Sequence, residues 1–389
     1  MSTPDVPLIV GAGPVGLGAA LFLADQEIPT RIVDQAAAPS THSKALAINP
    51  RTLEILEPSG VTARLLELGR RIRGAKVWRE GALAAEINFA ALEHRYPFML
   101  ALSQATTERL IAEAVKQRGL RVERGVRLVE CRNANSHVTA ALAHSEDEFE
   151  TVHCPWMLAA DGAHSTARDR LNVPFPGSTL ADPWHLADVP LATSLAEDYA
   201  HIVLVDGGFL FMMRVIEPAD TDDTAVPLWR VLGNQPHPLT RLVADRVAGP
   251  PIWESHFRIS HRIVRAMSVG RIHFAGDAAH LHSPMGARGM NLGLEDAWVF
   301  AQLAGRDALE RYHAFRRPVD HRVVRRIDLL SRVVAGDPNL LGAVRRLVPA
   351  LIRHTPFRAN MLAQVTGLDH GLDSFAPTRR AAPADALVR

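Results

Sequence analysis

Lysine is nearly absent from this chain. Only Lys44, Lys76 and Lys116 occur among 43 Lys and Arg residues. The formal net charge is +1, which argues against a dedicated nucleic-acid binder. The preference for arginine, beside abundant Ala and Pro, reads as the codon bias of a GC-rich genome. Cysteine is as scarce. Cys131 and Cys154 are the whole complement, so a disulfide scaffold or a Cys-based metal cluster is not expected. Both fall in strand-like runs and suit buried thiols in a reducing compartment. No apolar run reaches the roughly eighteen residues that a membrane span needs. The N-terminus carries Asp5 and lacks a basic n-region, so no signal peptide is expected and the cytoplasm is the expected location. With 389 residues, 47% hydrophobic and 22% charged, the chain has material for one large domain or two ordinary ones.

The most informative stretch runs from Arg271 to Glu295, RIHFAGDAAHLHSPMGARGMNLGLE. It reads as a strand over Arg271–Ala275, a turn at Gly276-Asp277, a glycine-interrupted loop and a helix from about Asn291. A helix start presents unpaired N–H groups and positive potential, which together collect anions. Gly286 and Gly289 have no Cβ to hold a ligand off the backbone. Asp277 leaves an apolar strand with its carboxylate placed to accept from a hydroxyl. His280-x-His282 does not read as a metal site, because that spacing on a loop is poor for ligation.

A second signal opens the chain. Val6–Val10 is an apolar run ending at Gly11-Ala12-Gly13-Pro14-Val15-Gly16, with a helix through Ala24 and a second strand, Thr30–Val33, ending in Asp34. This is a dinucleotide fingerprint in full context. Gly11 makes the tight turn, Gly13 admits a pyrophosphate, and Gly16 allows helix and strand to pack. Asp34 stands 23 positions after Gly11, close to the separation of about 20 expected for a ribose-binding acid.

Further along, Asn49-Pro50 reads as a helix cap and first turn, and Ala63–Leu68 as a short helix. Lys44 lies in a polar loop suited to a flavin or phosphate contact. Gln104 opens an amphipathic helix, either capping it or contacting a cofactor. Arg121–Glu123, Val126–Arg132, His137–Leu142 and Thr151–Cys154 read as strands, three of them suggesting a small antiparallel meander. Trp156–Ala160 is a strand ending at Asp161-Gly162, with Ser165 capping a helix. Residues 173–261 are strand-rich and proline-rich, and Phe209, Phe211 and Met213 alternate to one side. After 295 the chain reads as helical: a long arginine-rich region over 307–334, then helices over 339–353 and 356–366 and a loose tail.

In order and spacing these signatures resemble the FAD-dependent aromatic hydroxylases, the p-hydroxybenzoate-hydroxylase-like group A flavoprotein monooxygenases. The resemblance rests on residues 43–56, 102–110, 159–168, 270–297 and 312–319. It implies an α/β chain: a Rossmann-like FAD-binding domain of the glutathione-reductase type, an inserted sheet-rich substrate domain and C-terminal helices. The boundaries expected are 1–72 with 96–172 and 262–335 for FAD, 73–95 with 173–261 for substrate, and 336–389 for the remainder. It also implies FAD as cofactor, NADPH or NADH as co-substrate, and hydroxylation of a small aromatic substrate by O2 through a flavin C4a-hydroperoxide, in a monomer or homodimer.

By position, the resemblance places the FAD pyrophosphate on Gly11, Gly13, Pro14, Val15 and Gly16 and the adenosine ribose on Asp34. Lys44 and Gln104 reach the middle of FAD, Gly276-Asp277 its ribityl or pyrophosphate region, and Asp161-Gly162 serves FAD and NAD(P)H binding together. Pro284 and Gly286 form the wall beside the flavin, and the amides of Gly289, Met290 and Asn291 face its pyrimidine edge. Phe209, Phe211, Met213, Arg214 and Pro284 are the candidate substrate pocket. No catalytic base is assigned; His185, His201 and Arg214 are candidates only as polar residues of that region. The chain departs from the pattern at Asp34 (usually Glu), Lys44 (usually Arg) and Gly-Ala-Arg-Gly over 286–289, where Arg288 adds charge near the flavin. With tyrosine at 96, 199 and 312 alone, a paired-tyrosine proton relay is not expected. A non-oxygenating FAD oxidoreductase of the same fold, or a flavin-binding accessory protein, would share most of these features.

Overall fold

A computed structural model describes residues 6–39, 46–205, 208–216, 226–235, 238–241, 246–335 and 355–372. Lys44, the helix expected over 339–353 and the C-terminal tail lie outside these residues.

The first layer is a six-stranded sheet. Its order is Ser268–Val269, Ile272–Phe274, Met157–Ala159, Leu8–Val10, Arg31–Asp34 and Val122–Arg124. All neighbours are parallel except the first pair. The three central strands are buried throughout, as a parallel sheet covered on both faces requires. Helix α1 (Pro14–Ala24) follows the first strand, with Pro14 at its first turn, where a missing N–H costs nothing. It packs on α6 (Gly289–Ala304) at glycine notches. A Cβ on Gly18 would fall 2.5 Å from Leu294, and one on Gly293 would fall 2.5 Å from Val15.

Between these helices in sequence come α2 (Pro50–Leu56), α3 (Val61–Leu68), α4 (Gln104–Gln117) and α5 (Thr166–Arg170). Asn49 caps α2 by accepting from the Thr52 N–H at 2.8 Å. Ser165 caps α5 by accepting from the Arg168 N–H at 3.0 Å. The cap of α4 is Ser103, which accepts from the Thr106 N–H at 3.2 Å; Gln104 instead donates to Glu108 at 2.6 Å. The meander is Arg127–Asn133, Val138–Ala143 and Phe149–Cys154.

The second layer is a nine-stranded sheet that draws strands from 74–88, 177–263 and 280–281. Its longest strand, Gly177–Ala192, is invisible in the hydrophobic pattern. Asp182 and Pro183 interrupt it, and the register against Trp253–Ile263 shifts between Thr179 and Pro183. Pro183 stands at this irregularity, one of the places where a sheet tolerates proline. Two further helices follow among the described residues: α7 (Tyr312–Ala335), which runs through Pro318, and α8 (Thr355–Thr366). Among the described residues no helix is long and apolar enough to cross a membrane.

Candidate active site

Three strand ends of the first sheet converge. At the first, Gly11 has φ +101°, and a Cβ there would meet the Ala160 carbonyl at 2.2 Å. A Cβ on Gly16 would fall 1.8 Å from the Gly11 carbonyl. Both glycines are therefore demanded by packing within the protein. Gly13 is different: nothing lies within 4 Å of a Cβ built on it, and its φ of −75° suits any residue. The protein leaves open space there, at the start of α1. Asp34 closes the turn from the next strand, accepting from the Ala12 N–H at 2.5 Å and the Ala36 N–H at 2.7 Å.

At the second strand end, Asp161 accepts from the Ala167 N–H at 3.1 Å, and burial raises its pKa. At the third, Gly276 has φ +59° and Asp277 is exposed toward the cavity. The glycine loop then leads into α6, which begins at Gly289, two residues before the position expected. Leu292 N–H is bonded to the Arg288 carbonyl at 2.7 Å, so the amides of 289–291 have no acceptor within the helix.

A cavity of about 1500 Å³ joins these ends to the second sheet. Gly13, Pro14, Val15, Gln104, Asp277, Pro284, Gly286, Gly289 and Met290 line it, as do Phe211 and Met213. Two expected contacts need correction. Phe209 is fully buried and packs edge-on against Trp184, with centroids 4.9 Å apart. Arg214 donates to the Val215 and Leu228 carbonyls at 3.0 and 2.9 Å, so its guanidinium fastens strands. The side chain of Asn291, as distinct from its main-chain N–H, is a strut: its Nδ2 donates to the Ala47 and Ala287 carbonyls at 3.0 and 2.6 Å, and its Oδ1 accepts from the Asn49 N–H at 3.0 Å. The candidate bases also fall away. His201 accepts from Trp78 Nε1 at 3.0 Å and meets the Ala196 carbonyl at 2.9 Å. His185 stands beside His256 on the sheet and does not line the cavity.

Sequence reasoning missed other lining residues. Asn360, Met361, Gln364 and Val365 come from α8, a placement decided by tertiary packing with no local signature. Arg230 lines the cavity with its charge already matched, donating to both oxygens of Asp188 at 2.8 and 2.7 Å. His282 donates from Nδ1 to the Ser283 carbonyl at 2.8 Å, and burial lowers its pKa to about 3. It is thus a neutral imidazole with Nε2 left as acceptor. Arg288, 2% exposed, also lines the cavity; none of its three nitrogens makes a hydrogen bond, and its Nη2 lies 3.5 Å from Glu295 Oε1 and 4.0 Å from Asp369 Oδ1.

Beneath the loop lies a buried ionic network. Asp296 is fully buried and accepts from Arg316 Nε at 2.7 Å, His280 Nε2 at 2.7 Å and the Gly276 N–H at 3.0 Å. Arg316 also donates to Asp320 at 2.8 Å. His280, Asp296 and Asp320 lie close enough to share an ion, with ligand atoms within 4.8 Å. The Arg316 guanidinium, bonded to both acids, already supplies the positive charge there. Burial alone would lower the pKa of His280, but Asp296 outweighs it and lifts the value to about 9. That stabilisation is fully present below about pH 6.5, the ordinary histidine value, and is lost as pH rises through 9. Wild-type protein is therefore expected to have a lower urea midpoint at pH 9.5 than at pH 6.5. His280→Asn should be less stable at pH 6.5 and lose less over the same interval; equal losses in both proteins would refute this assignment.

Comparison with known proteins agrees with this geometry. A family model described as FAD binding domain matches residues 5–327. The 6-methylpretetramide 4-monooxygenase of Streptomyces rimosus is 34% identical over 84% of this chain and 62% of its own length. The pentachlorophenol 4-monooxygenase of Sphingobium chlorophenolicum is 28% identical over 85% of this chain and 65% of its own. The chain thus spans under two thirds of these relatives. Among solved structures, p-nitrophenol 4-monooxygenase PnpA from Pseudomonas putida DLL-E4 superposes with a TM-score of 0.81 at 22% identity, covering 95% of this chain and 99% of that one.

Proposed function

We propose that this chain, which belongs to the FAD binding domain family, is a monooxygenase that uses FAD, NAD(P)H and O2 to hydroxylate a small aromatic, phenolic substrate. The observation that carries this reading is the continuity of one cavity. Its wall runs from the open cradle at Gly13 and Pro14, past the start of α6, to an apolar sheet surface at Phe211 and Met213.

The residues present fit FAD on two counts. The space before Gly13 has no protein atom to fill it, and His282 Nε2, buried in the cavity lining, has no hydrogen-bond partner. Gly11, Gly13, Pro14, Val15 and Gly16 would hold the pyrophosphate, and Asp34 the adenosine ribose. Lys44, Gln104, Asp161, Gly276 and Asp277 would run along the middle. Pro284 and Gly286 would flank the ring. The amides of Gly289, Met290 and Asn291 would face its pyrimidine edge. Residues 1–72, 96–172 and 262–335 would then form the FAD domain, 73–95 and 173–261 the substrate domain, and 336–389 a C-terminal addition.

When bound, FAD supplies the redox chemistry between NAD(P)H and O2. The chain supplies surroundings. Phe211 and Met213 keep the far end of the cavity apolar, which excludes water. The α6 N-terminus would place positive potential where reduced flavin carries negative charge, and Arg288, whose charge is shared with Glu295 at 3.5 Å, would add to it. Neutral His282 offers an acceptor. Arg288→Gln is expected to lower the two-electron flavin potential by about 30 mV, equivalent to about 1.4 kcal/mol. Dye-linked redox titration of the FAD-loaded variant reads this directly, and an unchanged potential would remove Arg288 from the flavin environment.

Function is tested by following NADPH and NADH oxidation across a panel of phenols, with product masses. Oxidation accelerated by a phenol, with a product heavier by one oxygen atom, supports hydroxylation. Acceleration without that product assigns a non-oxygenating oxidoreductase.

A further inference from the structure

Helix α7 lines a second, open groove of about 840 Å³ with Arg317, His321, Arg322, Arg325, Arg326 and Arg332, against one acid, Asp328. These residues recur at intervals of three and four, so they are neighbours on one side of the helix, where like charges repel. Part of the charge is compensated. Arg332 donates to Asp328 at 3.0 Å, Arg326 to Asp369 at 2.9 Å, and Arg317 to the Val264 carbonyl at 2.9 Å. Arg322 and Arg325 are exposed, and neither has a carboxylate partner among the described residues. Burial, with Arg317 and Arg325 beside it, lowers the pKa of His321, as expected in a field of excess positive charge. Repulsion of this kind on a helix surface is relieved when an anion occupies the groove.

The groove is continuous with the large cavity: Arg326 and Leu329 line both. From Arg317 to Arg332 the helix rises about 22 Å at about 1.5 Å per residue, enough for more than one phosphate in a row. The chain has a single glycine fingerprint, at 11–16, and FAD takes it under the proposed function. A nicotinamide dinucleotide therefore needs other cations for its phosphates. We infer that this groove binds the phosphates of the nicotinamide coenzyme, with its ring directed past Arg326 and Leu329 toward the flavin. The inference rests on the proposed use of NAD(P)H. It selects Arg322 and Arg325 as coenzyme-affinity residues that lie outside the lining of the large cavity.

The test uses FAD-loaded wild type, Arg322→Gln/Arg325→Gln and Arg322→Glu/Arg325→Glu, each checked for FAD content and unfolding temperature. Anaerobic stopped flow then follows reduction of bound FAD against NADPH and NADH concentration. Charge-assisted contacts of this kind are each worth about a factor of ten. The concentration for half-maximal reduction is therefore expected to rise at least about tenfold in the Gln pair and further in the Glu pair. The limiting rate and the Kd for the aromatic substrate should not move. Unchanged half-saturation in both variants, with wild-type rates, would overturn the inference and leave the NAD(P)H reading standing. If neither NADPH nor NADH reduces wild-type FAD, the inference and the NAD(P)H reading fall together. Binding to phosphatidylglycerol vesicles that the Glu pair abolishes, with unchanged coenzyme response, would assign the groove to an anionic surface and also overturn the inference.

Discussion

Arg316→Ala is expected to destabilise the folded chain by about 3–5 kcal/mol, the range for removing one partner of a buried ionic cluster. Arg316 is 1% exposed and bonds two fully buried carboxylates, Asp296 and Asp320. A third, Glu295, lies 3.8 Å away. Asp296 is held ionised, its pKa near 2, because Arg316 and His280 outweigh burial. Burial raises Asp320 to about 7 against the pull of Arg316. Without the guanidinium, these acids keep their desolvation and lose their counter-charge. The effect should reach the site, because Asp296 also holds the Gly276 amide in the turn that presents Asp277. Chemical denaturation should therefore show a large loss, accompanied by lower FAD occupancy. Arg316→Lys, which keeps charge but loses the fork geometry, should fall between. A loss below about 1 kcal/mol in the Ala variant would show that the network does not carry stability.

Gly13→Ala is expected to separate folding from cofactor binding. A Cβ at this position meets no protein atom, and the backbone there is ordinary. FAD-free protein should unfold within about 0.5 kcal/mol of wild type. FAD affinity should nevertheless fall roughly a hundredfold, about 2.7 kcal/mol, because the methyl group occupies the approach of the pyrophosphate. Gly11→Ala serves as the contrast. Its Cβ collides with the Ala160 carbonyl at a φ of +101°, so that variant should lose stability as well. Unimpaired FAD binding by Gly13→Ala would mean that the ligand does not pass over this turn.

Much of the architecture was legible because it is written in local chemistry. The strand–Gly-rich turn–helix at 8–24, the Asn49 and Ser165 caps and the strand exits at 161 and 276 depend on residues within a few positions of one another. The long strand Gly177–Ala192 was not legible, because Pro183 and a register shift erase its alternation. Alternation correctly put Phe209, Phe211 and Met213 on one face, but it cannot tell cavity wall from core, and Phe209 is spent on Trp184. Polarity suggested Arg214 as a pocket residue, yet its guanidinium returns to main-chain carbonyls. The contribution of α8 to the cavity, like the buried web around Arg316, joins residues far apart in sequence and follows only from packing.

The central claim is that separated segments of this chain form one cleft that holds a single FAD along its length. Titration of FAD into FAD-depleted wild-type protein, followed by flavin absorbance and fluorescence, tests it most directly. The structure predicts saturation at one FAD per chain, with an unfolding temperature that rises as the site fills. Protein that remains colourless, takes up no added FAD and shows no thermal shift would contradict it.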